Sequence, residues 1–180
     1  MAKVLVPLVD GFEEVEAVTA VDLLRRAGVK VITAGIGTTN PVGSHGMALE
    51  ADVTLEEAAR AEYDAIVLPG GPGTPRLLES EILTKMIRHH AERGKLLAAI
   101  CAAPTVLASL GLLEGRNATC FPAKEEKMAG AKLSHEPVVV DGHFVTSRGA
   151  GTAVPFALKV AEHLVGAETA EKVSRSIIYT

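Results

Sequence analysis

The apolar residues of this chain come in short, nearly unbroken runs separated by longer stretches in which they recur every three or four positions. Residues 3–9, 30–36, 65–69 and 96–100 are such runs, the pattern of strands covered on both faces. Residues 12–27, 54–60 and 80–93 carry helical spacing, with Gly28 and Gly94 as stops and Thr54 and Glu57 spaced as a capping box. Asn40-Pro41 opens an irregular stretch to Ala51, and GGPGTP reads as a loop after the third strand. The fourth strand leads into a helix through Leu110, and residues 118–121 read as a further strand. VVVDGHFVTS reads as a hairpin turning at Asp141-Gly142, and the chain is helical from Thr152.

Alternating buried strands and amphipathic helices predict an α/β, flavodoxin-like three-layer sandwich. Its sheet is mostly parallel, with a small antiparallel hairpin. Residues 1–180 read as one domain. In such sheets sites form beyond the carboxyl ends of the strands. That edge collects Asp10-Gly11, Gly70-Gly71 and Cys101.

Cys101 sits in LLAAICAAP, with Ala99, Ala102 and Ala103 around it. Two readings fit. A strand–nucleophile–helix elbow needs small neighbours, and a following helix N-terminus favours thiolate. A small hydrophobe at a strand end would look the same. Gly70 and Gly71 end the neighbouring strand, where free N–H groups would form an oxyanion hole with that of Ala102; an ordinary strand-to-helix turn is the plainer alternative. At ~100° per residue Phe12, Glu16, Ala20, Leu23 and Ala27 share one helical sector, so Glu16 is an acid on an apolar face. Glu14 points the opposite way. Burial would raise the Glu16 pKa and suit it to proton transfer, whereas a solvated carboxylate at a helix start explains it equally well.

Composition narrows the partners. A net charge of −4 without a basic stripe, and 3% aromatics, argue against nucleic acid. No apolar run approaches the ~20 residues of a membrane span. Two cysteines, Cys101 and Cys120, make neither a disulfide framework nor a metal spacing, so a cytoplasmic setting is expected.

DGFEEVEAVTAVDLLRRAGVKV, LPGGPG, AAICAAPTVLASLGLL, the Cys120-Phe121-Pro122 segment with EEKM, and TSRGAGT resemble, in order, the ThiJ/PfpI superfamily. The likeness is closest to the branch of the Parkinsonism-associated protein deglycase and bacterial YajL. It covers nearly the whole chain. The resemblance implies a homodimer with an oxidisable nucleophile, Cys101, an acid at its sulfur, Glu16, backbone donors at Gly70 and Gly71, and no metal or organic cofactor. Arg26 and His45 resemble positions where the pocket borders the dimer contact, although His45 replaces an arginine. Two histidines of the superfamily are absent: Ala102 stands where the PfpI peptidase branch has one after the cysteine, and Phe121 where the deglycase-type sequence has one before the proline, as in YajL. Ala150 stands where proline is usual, and Thr152 is placed to cap the next helix. His89, His90, His135, His143 and His163 read as surface or turn residues without a catalytic role.

The resemblance implies a cofactor-independent glyoxalase or protein deglycase acting on methylglyoxal, or on glycated side chains, in carbonyl stress defence. A cysteine redox sensor or stress chaperone uses the same residues. A peptidase ranks third, because the histidine that would protonate the leaving group is missing.

Overall fold

In a computed structural model, which describes residues 1–179, the chain forms a seven-stranded sheet between helical layers. The first half runs β1 (Lys3–Leu8), α1 (Glu14–Arg26), β2 (Lys30–Gly35), β3 (Val53–Thr54), α2 (Leu55–Ala58), β4 (Ala65–Leu68), α3 (Pro75–Glu79) and α4 (Glu81–Glu92). The second runs β5 (Leu96–Ile100), α5 (Pro104–Ser109), β6 (Asn117–Ala118), a 3₁₀ turn (Pro122–Lys127), β7 (Lys132–Leu133), β8 (Val138–Asp141), β9 (Phe144–Ser147), α6 (Ala153–Val165) and α7 (Ala167–Ser176).

The sheet order is β3-β2-β1-β4-β5-β9-β8, parallel except for the β8–β9 pair. The chain winds outward from β1 to β2, then returns to place β4 on the other side of β1. This is the switch point of a flavodoxin-like sheet, where the loops after two adjacent strands part and leave a crevice. Here the two loops are stitched together: Glu13 N donates to Gly70 O (2.9 Å) and Gly73 N to Gly11 O (2.9 Å).

Strand side chains divide by alternation between two apolar layers. Val4, Val6 and Leu8 of β1, with Ala98 and Ile100 of β5, pack against α1, α6 and α7. Leu5, Ile66, Leu68, Leu97 and Ala99 face Tyr63, Leu77, Leu83, Ile87 and Val106 on the other side. A period of two on strands buried on both faces is why the runs read as continuous.

Three details differ from the sequence pattern. Helix α1 starts at Glu14 rather than residue 12, because Phe12 N is turned back to Val9 O and Glu13 N is held by Gly70 O at β4's exit. The expected strand at 118–121 shrinks to β6, which pairs only with β7 in a separate two-stranded sheet. Residues 75–79, between the expected loop and the expected helix at 80–93, make the short helix α3 with Pro75 in its first turn. The capping box forms as read: Glu57 N donates to Thr54 Oγ1 (3.2 Å), and Thr54 N to Glu57 Oε2 (2.9 Å). Thr54→Ala should therefore cost about 1 kcal/mol, seen as a lower urea midpoint with an unchanged slope.

Candidate functional site: a thiol and a carboxyl at the switch point

Strand β5 ends at Ile100, and the next residue turns sharply. Cys101 has φ 63°, the left-handed region that costs a non-glycine residue energy. Hydrogen bonds hold it there: Cys101 N donates to Ser147 O (2.9 Å) on β9, and Phe121 N donates to Cys101 O (2.8 Å). The side chain is thereby raised above the strand end, half-buried, in the elbow geometry that the small neighbours permit.

Glu16 reaches the same spot from α1. It is 1% exposed, as the helical phase predicts, and Ala20, Leu23 and Ala27 are buried with it. Its Oε2 accepts from Gly70 N at 2.8 Å, and its Oε1 is buried without a hydrogen-bond partner. Gly70 is glycine for lack of room: a Cβ there would lie 2.7 Å from Cys101 Cβ and 2.9 Å from Glu16 Oε2. Next to it, Gly71 has φ 104°, and a Cβ would fall 2.4 Å from Gly11 O.

Burial pushes the Glu16 carboxyl up to about 7, with the Glu13 charge adding to it, while the Gly70 N–H and the thiol oppose the rise. The Cys101 thiol is pushed up to about 12, first by burial and then by the Glu16 charge and hydrogen bond, against the N–H groups of Ala102 and Gly71. The two groups interact, so they titrate as a pair. With Glu16 ionised, the thiol keeps its proton. With the proton on Glu16, the repulsion disappears, and a carboxyl O–H and two N–H groups face the sulfur.

A low thiol pKa from the helix terminus, expected from sequence, is not what the site provides. Helix α5 begins three residues later at a proline that has no N–H, and it is six residues long. The stabilising donors are single peptide groups, not a macrodipole. Nor is the Gly70 N–H free as an oxyanion donor, because Glu16 occupies it; Gly71 and Ala102 remain.

Above the pair opens a cavity of about 520 Å³. Phe121 and Ala150 line it as expected, with Pro72, Pro75, Leu78 and Thr105. Lys124 and Lys127 also line it, and the sequence pattern gave no hint of them. Arg26 lies elsewhere. It ends α1 and pairs with Asp22 at 2.9 Å, ten residues beyond Glu16 and roughly 15 Å away along the axis. His45 sits on the loop covering the start of α1, with its ring 3.0 Å from Glu14 Oε2 and 3.7 Å from Glu13 Oε1, outside the cavity lining.

Glu14 departs most from the helical wheel. It is 5% exposed, because the loop at residues 43–47 folds over it. Its carboxylate accepts from His45 N (2.7 Å), Met47 N (3.4 Å) and Ser44 Oγ (3.2 Å). Burial alone would raise its pKa; hydrogen bonds from its own backbone, His45 and Met47 outweigh that and bring it down to about 2. Two more readings change. His90 is buried on the Leu83–Ile87 stripe of α4, and burial lowers its pKa. Thr152 caps no helix; its hydroxyl ties Ser147 Oγ (2.6 Å) to the Gly149 backbone.

A flavodoxin-type α/β sandwich with a thiol and a buried carboxyl at its switch-point edge is the class that fold and site define. The chain belongs to the DJ-1/PfpI family, whose match covers residues 2–163. It is 42% identical over 179 residues to Protein DJ-1 homolog B of Arabidopsis thaliana, covering 98% of this chain but 41% of that protein, so it spans less than half of that relative. It is 37% identical over 169 residues to the glutathione-independent glyoxalase DJR-1.2 of Caenorhabditis elegans, covering 93% of this chain and 90% of that protein. The solved structure of oxidised DJ-1 from Toxoplasma gondii superposes with a TM-score of 0.97 at 38% identity, covering 100% of both chains.

The Glu14 geometry has a pH signature. A carboxyl depressed from 4.5 to about 2 stabilises the fold above pH 4.5 and loses that contribution as pH falls toward 2. Glu14→Gln should therefore lower the urea midpoint at neutral pH, and the deficit should shrink inside that acid window. A deficit of equal size at both pH values would contradict the anchoring role.

Proposed function

We propose that this protein is a cofactor-independent glyoxalase or deglycase-type enzyme that uses Cys101 as nucleophile and Glu16 as proton carrier. The observation that supports it most is the buried carboxyl beside the thiol, opening on a cavity. A relative named as a glyoxalase supports it from outside.

With the proton on Glu16, the thiolate adds to the aldehyde carbon of methylglyoxal. A sulfur–carbon bond forms, the carbonyl pair moves to oxygen, and that oxygen takes the proton. Gly71 and Ala102 N–H groups hold the developing charge. Glu16, now a carboxylate, removes the hydrogen from the former aldehyde carbon and returns it to the neighbouring carbon, through an enediol. The resulting lactoyl thioester is cleaved by water, which gives lactate and restores the thiol. One carbon is oxidised as its neighbour is reduced, so the reaction balances without an external electron carrier. A carboxyl with a pKa near 7 can both give and take a proton at neutral pH.

On the deglycase side, the same addition would act on the aminocarbinols formed with amine side chains. A cytoplasmic homodimer acting on small reactive carbonyls or glycated side chains, with no nucleic-acid or membrane partner, completes the proposal. A second reading has its own support in the relative described as oxidised. Cys101 would react with peroxide, successively to sulfenate and sulfinate, with Glu16 donating to a sulfinate oxygen.

Lactate formation from methylglyoxal by freshly reduced protein separates the two. It should disappear in Cys101→Ser and fall ~10²–10⁴-fold in Glu16→Gln, while alkylation of Cys101 by iodoacetamide survives in Glu16→Gln. Undiminished lactate in Cys101→Ser would refute the enzyme reading.

A further inference from the structure

The cavity lining has two opposite chemical characters. Cys101 and Glu16 form the reacting part, and Pro72, Pro75, Leu78 and Phe121 supply apolar walls. Lys124 and Lys127 add two ammonium groups from the 3₁₀ turn Pro122–Lys127. Among the described residues neither lysine forms an ion pair or a side-chain hydrogen bond. Glu125, between them on the turn, is directed instead to Arg148 (3.5 Å) and His135 (3.5 Å). Glu126 is exposed and outside the lining. Glu13, the other carboxylate of the cavity, lies beside the His45 ring (3.7 Å).

Two ammonium groups that pair with no carboxylate attract an anion, in a cavity whose ionisable carboxyls are Glu13 and Glu16. The volume of about 520 Å³ is also that of a site for a ligand well beyond the three carbons of methylglyoxal. The geometry points to a substrate with two ends: an α-oxoaldehyde at Cys101 and a carboxylate or phosphate at Lys124 and Lys127, joined by a short chain against the apolar wall. This rests on the glyoxalase reading above and specifies its substrate class. The balance is unchanged: the anionic oxoaldehyde takes up one water and becomes the corresponding hydroxy acid, with hydrogen moving from the aldehyde carbon to its neighbour. Lys124 and Lys127 are positioning residues for the anion and take no part in the proton transfers.

Two measurements test this. The first needs no turnover: Cys101 alkylation by anionic iodoacetate relative to neutral iodoacetamide, in wild type and in the Lys124→Gln/Lys127→Gln double variant. The iodoacetate-to-iodoacetamide ratio should fall roughly tenfold in the double variant. The second compares kcat/KM for dioxovalerate, which carries a carboxylate, with that for propylglyoxal, which carries a methyl group in its place. Hydroxypyruvaldehyde phosphate serves as the phosphate arm. Wild type should favour an anionic substrate by roughly tenfold or more, through KM. The double variant should bring that preference toward unity, and the larger of the two preferences identifies carboxylate or phosphate. Turnover of propylglyoxal with no anionic preference overturns the inference and leaves the glyoxalase reading intact. An alkylation preference without turnover of any oxoaldehyde overturns that reading, and the oxoaldehyde end of the inference with it.

Discussion

The site is organised around the meeting of Glu16 and Cys101 at the Gly70 peptide. A carboxyl that is 1% exposed, with one oxygen on a peptide N–H and the other without a hydrogen-bond partner, is costly to ionise. The Gly70 N–H, which donates to Glu16 Oε2 at 2.8 Å, reduces that cost. Placing the two groups in contact requires α1 to start close to the end of β4. The bonds Glu13 N to Gly70 O and Gly73 N to Gly11 O supply that closeness. The switch point of the sheet is thus also the hinge of the chemistry.

The same closeness explains the pair of glycines. Any side chain at Gly70 would separate the carboxyl from the thiol, and at Gly71 it would push the β4 exit off the β1 exit. Cys101 is strained in a complementary way. Its left-handed backbone is held by Ser147 on one neighbour and Phe121 on another, so β9 and the 121–127 segment both fix the position of the sulfur. That segment then carries Lys124 and Lys127 over the cavity. The element that braces the elbow also furnishes the cavity wall.

What could be read from sequence followed from how local each cause is. The four long parallel strands, the Thr54–Glu57 box and the Asp141–Gly142 hairpin depend on periods and turns of a few residues, and they form where they were read. Glu16 was legible because its burial comes from the face of its own helix. Gly70's role was legible only in place, since nothing in LPGG says that a side chain fifty-four positions earlier takes its N–H. Lys124 and Lys127 were illegible because their place on the cavity depends on how the 121–127 segment returns to the Cys101 turn and α5. Arg26 illustrates the converse: a family position carried to this chain lies at the far end of α1, away from the cavity within the chain.

Glu14 and Glu16 put the lesson most directly. Both are first-turn glutamates of one helix, two residues apart, and both are buried. A helical wheel separates them by face but knows nothing of what covers each face. Glu14 is met by a loop that offers two backbone N–H groups, a serine hydroxyl and an imidazole, and it settles to about 2 as a fixed anion. Glu16 is met by one N–H and a thiol that competes for charge, and it rises to about 7. Neighbouring carboxyls driven apart by their surroundings acquire different work. The one with many donors anchors a loop, and the one with few can exchange a proton near neutral pH. The difference lies in the number of N–H groups that reach each oxygen, which is a property of the fold.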